Sequence, residues 1–150
     1  MADDANHDLL VHGTALASAV TAALPGWVVR CVESVVGPRL RAEAEAAGRE
    51  ASADIGPRLA TLLTADVDAQ RANPLALVRE AVRYPTEVLR AAGVAPRPRR
   101  GFDAEHFPDD EYGLVPMTWR DVDESLQEPG IVWGALKARA HLARHRAADR

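Results

Sequence analysis

His141 and His145 stand four residues apart near the C-terminus. On a helix that spacing puts two imidazoles on one face, the geometry of a two-histidine metal clamp. The glutamate of the metalloprotease motif is missing between them and no third ligand is spaced to join, so the pair reads as part of a solvated basic face. His7, His12 and His106 are not gathered by spacing. The run Pro108-Asp109-Asp110-Glu111 offers hard oxygen ligands. A calcium loop, however, alternates its ligands around a glycine at the sharp turn, and that pattern is absent. The run is expected instead to pair with arginines or to cap a helix N-terminus. Cys31, set among Trp27, Val28, Val32 and Val35, is expected to be buried, its pKa raised, and so a small hydrophobe rather than a nucleophile. No Gly-rich phosphate loop, nucleophile elbow or clustered Cys/His zinc pattern occurs, so no catalytic residue, metal or cofactor is assigned.

Two other groupings could bind a partner. The last segment carries Lys137, Arg139, Arg144, Arg146 and Arg150 with only Asp149 opposing them. A basic helix of this kind could lie along a phosphate backbone, and Lys137, Arg139, Arg144 and Arg146 are the candidate nucleic-acid contacts of that alternative. Basic residues also suit a helix C-terminus, and the whole chain carries a formal net charge of -4. The second grouping is aromatic. Phe102, Phe107, Tyr112 and Trp119 are four of the chain's seven aromatic residues, and they fall within residues 101–119 among five carboxylates and two prolines. Disordered segments are poor in aromatics, so these side chains read as anchors. They fill grooves on their own bundle or dock on another subunit, as interface hot spots do. Phe102, Phe107, Tyr112, Trp119 and Trp133 are the candidate partner-binding residues.

Helices must position these groups. Asn6 is a plausible N-cap for a first helix over residues 6–24, with Leu9, Leu16, Val20 and Leu24 on one face. Pro25 is expected to start a new helix, and Gly37-Pro38 and Gly56-Pro57 to interrupt the chain again. Asn73-Pro74 pairs an N-cap with proline at the first helical position, and Gly93 is expected to end the helix that follows, with a kink at Pro85. Residues 94–117 form an irregular arm. Thr118 and Asp121 make a capping box for the last helix, which Pro129-Gly130 is expected to split. The sum is one all-α domain over residues 1–150: a kinked bundle of about five helices with a long aromatic and acidic arm before the last. Trp133 and Gly134 are expected to let that arm pass close over the last helix, the glycine giving clearance and the tryptophan a platform for Phe107, Tyr112 and Trp119.

The bulk composition sets the compartment. Of the 150 residues 29 are alanine, so helices can approach closely while each side chain buries little area. Seventeen arginines stand against one lysine, a ratio that GC-rich bacterial codons explain better than recognition chemistry. One cysteine excludes an internal disulfide framework and suits a reducing cytosol. The acidic N-terminus has no positive n-region of a signal peptide. Residues 9–29 lack any charge and approach the length of a membrane span. The run also contains His12, Thr14, Ser18, Thr21 and Pro25-Gly26, so a buried central helix fits better.

Residues 84–146 carry the motifs Pro85-x-Glu87-Val88-Leu89-Arg90-Ala91-Ala92-Gly93-Val94, Phe107-Pro108-Asp109-Asp110-x-Tyr112-x-Leu114 and Glu128-Pro129-Gly130-x-Val132-Trp133-Gly134-Ala135. In these the chain resembles a small helical protein family of actinobacteria. That resemblance implies a bacterial source and no activity or site. The expected function is a non-catalytic protein–protein interaction or assembly module of a bacterial cytosolic complex, bound to a protein partner or to itself as a homo-oligomer, working through the aromatic arm and the C-terminal helix. Nucleic-acid association through the basic helix is one alternative. A small-ligand protein or enzyme with a pocket between the first helix and the arm is another.

Overall fold

The computed structural model describes residues 2–64, 73–97, 101 and 105–148. Every regular element among them is helical. Four helices of nine residues or more make the frame: α1 (Ala2–Val36), α2 (Arg41–Thr64), α4 (Arg83–Ala91) and α6 (Gln127–Ala148). The short α3 (Pro74–Arg79) precedes α4, and α5 (Trp119–Val122) precedes α6. The chain is all-α, but the division expected at three prolines does not occur.

Pro25 lies inside α1. Its ring removes the hydrogen bond to the Thr21 carbonyl, and Ser52 Oγ of α2 donates to that carbonyl at 2.7 Å. The lost bond is replaced from the neighbouring helix, and α1 runs on to Val36. Pro57 sits within α2, where the carbonyl it frees belongs to Ala53 on the exposed side of the helix. Pro129 occupies the first turn of α6, where a missing N–H leaves no bond unmade. The break expected at Pro129-Gly130 comes earlier, at Asp123, whose extended backbone (φ -163°) precedes the 3-10 turn Glu124–Leu126. Before Pro85 the helix tightens into the 3-10 turn Glu80–Val82, the usual relief of the clash between a proline ring and the carbonyl four residues back.

Other boundaries fall where the residue types place them. Asn73 caps α3 by accepting the Leu75 N–H at 3.0 Å. Gly93 (φ 74°) closes α4, with Gly93 N–H bonded to Arg90 O and Val94 N–H to Leu89 O, both at 3.0 Å. Asp121 accepts the N–H groups of Met117 at 2.9 Å and Thr118 at 3.0 Å.

α1 and α2 form an antiparallel hairpin closed by the 3-10 turn Gly37–Leu40. Small residues let the two backbones meet. A Cβ on Gly48 would lie 2.8 Å from the Pro25 backbone, one on Gly56 would lie 2.8 Å from Thr21 Oγ1, and one on Gly13 would collide with the Leu63 carbonyl. The α3–α4 segment packs against both helices of this hairpin, and α6 packs along α1. The main core joins Leu16, Val20, Leu24 and Val28 of α1 to Ile55 and Leu59 of α2, Val78 of α3, and Leu126 and Trp133 near or within α6. Val32, Ala44, Leu89 and Tyr112 form a smaller cluster at the far end. By length and composition, an 18-residue window within His7–Thr64 (mean hydropathy 1.5, 44% buried) could cross a membrane. In the fold its Leu9, Leu16, Val20 and Leu24 side chains face the bundle core.

Candidate functional site

The residues singled out for chemistry have mostly structural settings. Burial pushes the Cys31 thiol up to about 12, with nearby Arg30 opposing and Asp110 adding to the shift; it is not a thiolate at neutral pH. Asp110 is buried at 3% exposure, and its two oxygens accept the N–H groups of Leu114 at 2.7 Å and Val115 at 2.9 Å. It is a turn-forming carboxylate beside Gly113 (φ 68°). Glu111 pairs with Arg90, and Asp109 is exposed. Asp54 ties α2 to α4 by accepting from Tyr84 Oη at 2.8 Å and Arg83 Nη2 at 3.0 Å. Burial raises the Tyr84 hydroxyl. Asp123 is held below its ordinary value by the Ser125 hydroxyl and backbone N–H, with Arg30 contributing. Among the described residues no three His, Cys, Asp or Glu side chains converge as a metal site. The two histidine rings of α6 stack edge-on with centroids 4.2 Å apart.

The four described aromatic candidates, Phe107, Tyr112, Trp119 and Trp133, are not brought together. Phe102 lies outside the described residues. Phe107 is half-buried, with the Arg79 guanidinium 5.7 Å from its ring centroid. Tyr112 is 1% exposed in the small cluster, and its hydroxyl donates to Val94 O at 2.7 Å. Trp133 is 5% exposed and faces α1, where a Cβ on Gly13 would lie 3.2 Å from its Nε1. Trp119 lies across Gly130, and a Cβ there would fall inside the indole. Gly134, expected to give that clearance, has nothing within 4 Å of where a Cβ would stand. The described residues of the arm therefore do not cross Trp133 and Gly134. The arm is tied to the bundle by Tyr112, by Arg97 Nη2 on Ser34 O at 2.6 Å, and by Arg79 on Pro116 O at 2.9 Å and Met117 O at 3.0 Å.

The basic candidates also divide. Lys137 lies 5.1 Å from the Trp133 ring centroid and its pKa is lowered by burial. Arg139 and Arg146 are exposed; the side chain of Arg144 lies outside the described set. Two residues along a helix turn by about 200°, so Lys137 and Arg139 point to nearly opposite sides.

Among the open grooves lined by the described residues, three are large. The first, about 580 Å³ between α2 and α4, is rimmed by Glu43, Glu50 and Glu87. The second, about 870 Å³ along the α1–α2 seam, is lined by small Ala, Ser, Thr, Gly and Pro residues. The third, about 580 Å³, sets His12, Leu16 and Ala19 of α1 against Glu124, Glu128 and Val132. It is nearest to the pocket expected beside the first helix, but residues 124–132 close it and the arm does not.

What stands out is the outer face of α6. Ile131 is 61% exposed and Leu142 55%, and Gly134, Ala135 and Ala138 between them are exposed as well. Ile131, Ala135, Ala138 and Leu142 have the i, i+4, i+7, i+11 spacing of a single helical stripe. The inner face of the helix, through Gly130, Trp133 and Ala140, is buried. The sequence does carry this signal: α6 has apolar residues on two opposite faces, and one bundle can cover only one of them. Reading the segment for its charge alone misses it. Comparison with protein-family profiles, curated proteins and solved structures returned no match.

Proposed function

We propose that this chain is an interaction and assembly module whose contact surface is the outer face of α6. The observation that carries the reading is the exposure of Ile131 and Leu142 on one uncharged stripe; large apolar side chains left together on a surface mark interaction sites. The arm serves the module by bracing the bundle through Tyr112 and Asp110 rather than by offering aromatic anchors. A bacterial cytosolic setting is supported by the seventeen arginines against one lysine, the single cysteine and the resemblance over residues 84–146. A non-catalytic role is supported by the settings of Cys31, Asp110 and Asp123, each engaged in packing or capping.

The test uses a thiol placed on the face. Cys31 is buried, so Leu142→Cys gives the protein one reactive sulfur. A cell-permeant maleimide should label it several-fold more slowly in the source cells than in dilute purified protein. Glu45→Cys, exposed on α2, corrects for reagent access. Equal corrected rates at position 142 would show an uncovered face and end the proposal.

A further inference from the structure

We infer that the molecule covering the outer face of α6 is a second copy of this chain, docked antiparallel about a two-fold axis between Ala135 and Ala138. The inference rests on the reading of that face as an interaction surface and names its occupant. First, the stripe is self-complementary. Its order is large, small, small, large, with steps of four, three and four residues from Ile131 to Leu142. Reversed, it presents Ile131 to the partner's Leu142 and Ala135 to the partner's Ala138, as an isologous contact requires. The two alanines and the nearby Gly134 are small enough for the helix backbones to approach.

Second, the charges choose the direction. At 100° per residue, Glu128, Arg139 and Arg146 lie along one edge of the stripe. Among the described residues none of the three belongs to an ion pair, while Arg41, Arg58, Arg83, Arg90 and Arg120 are all paired within the chain. In the antiparallel pair Glu128 meets the partner's Arg146, and symmetry makes this happen twice. A parallel pair would bring opposite edges together, setting Glu128 against the partner's Gln127 and Arg146 against the partner's His145, so that no ion pair forms, and it would align the helix dipoles. On the other edge His145 meets the partner's Gln127, with no like charge opposed. Third, the size sets the strength. Eleven residues of helix rise about 17 Å, so a stripe one helix wide belongs to the small, transient class of interfaces, and the dimer dissociates on dilution.

Sedimentation equilibrium of the full chain tests this from about 1 µM to about 1 mM, the range for an interface this small. The wild type should pass from monomer to dimer within it, and Leu142→Asp should remain monomeric with unchanged circular dichroism. Glu128→Arg and Arg146→Glu should each weaken the dimer about tenfold, since each places like charges together at two symmetric sites. The doubly reversed variant should return to within about threefold of wild type on the same arithmetic. Register is checked by mixing Ile131→Cys with Leu142→Cys: disulfides should join the two different variants faster than either joins itself. A wild type monomeric throughout, a double reversal no better than the singles, or preferential self-linking would each overturn the second-copy assignment. If position 142 is nevertheless shielded in cells, the interaction face stands and its occupant is another protein.

Discussion

Gly130 and Gly134 lie about one turn apart on α6 and meet different surroundings. A side chain on Gly130 would occupy the space of the Trp119 indole, while one on Gly134 would point into the open. Gly130→Ala must push the indole aside and should destabilise the fold by about 1–2 kcal/mol, the lower range for overpacking because Trp119 is only half-buried. Gly134→Ala should stabilise it by about 0.5–1 kcal/mol through the unfolded chain and helix propensity alone. Urea unfolding followed by circular dichroism checks both, and equal shifts would contradict the packing. Both glycines stand in one short motif, and the sequence offers no means of telling which one faces an aromatic ring. That depends on the phase of α6 against α5, which the break at Asp123 sets.

At the scale of elements, the faces of the helices are legible in the sequence and their continuity is not. The 3.6-residue period assigns Leu9, Leu16, Val20 and Leu24 to one buried side, where they lie. Capping residues at Asn73, Gly93 and Thr118 place boundaries because each acts through its own backbone neighbourhood. Pro25 misleads because its effect is decided by another helix: Ser52, twenty-seven residues on, replaces the hydrogen bond the proline removes. A double-mutant cycle isolates this pairing. Ser52→Ala alone should cost about 1–2 kcal/mol by leaving the Thr21 carbonyl without its donor. In a Pro25→Ala background the new backbone N–H at position 25 serves that carbonyl, and the same change should cost less than about 0.5 kcal/mol. Additive losses would mean that Ser52 matters for packing rather than for the carbonyl.

For the whole molecule, two apolar clusters of unequal size divide the labour. The larger holds the helices together, and the smaller, around Tyr112, Val32, Ala44 and Leu89, holds the arm on the bundle. Tyr112→Ala should release the arm and leave the helices in place, because it removes the arm's deepest anchor and the bond to Val94 O together. Limited proteolysis within residues 101–117 should accelerate about tenfold or more, as loss of a few kcal/mol of local protection implies, with far-UV circular dichroism nearly unchanged. A variant cut no faster than wild type would show that Asp110 and the arginine contacts suffice. The aromatic richness of residues 101–119 marks the arm as anchored. The target of each anchor is beyond the reach of sequence, since Tyr112, Phe107 and Trp119 go to three separate places. The stripe from Ile131 to Leu142 is hidden for a related reason: apolar residues alternate around α6, and only the packed bundle shows which of them are left over.

Ser52 also bears on how the hairpin folds. While α2 is undocked, α1 is two helical pieces meeting at a proline, with the Thr21 carbonyl bonded to water. The pieces become one rod as the hairpin closes and Gly48 reaches the Pro25 backbone. Helix growth and helix pairing are therefore expected to reinforce one another at this crossing. The longest described helix draws the donor it lacks from its neighbour.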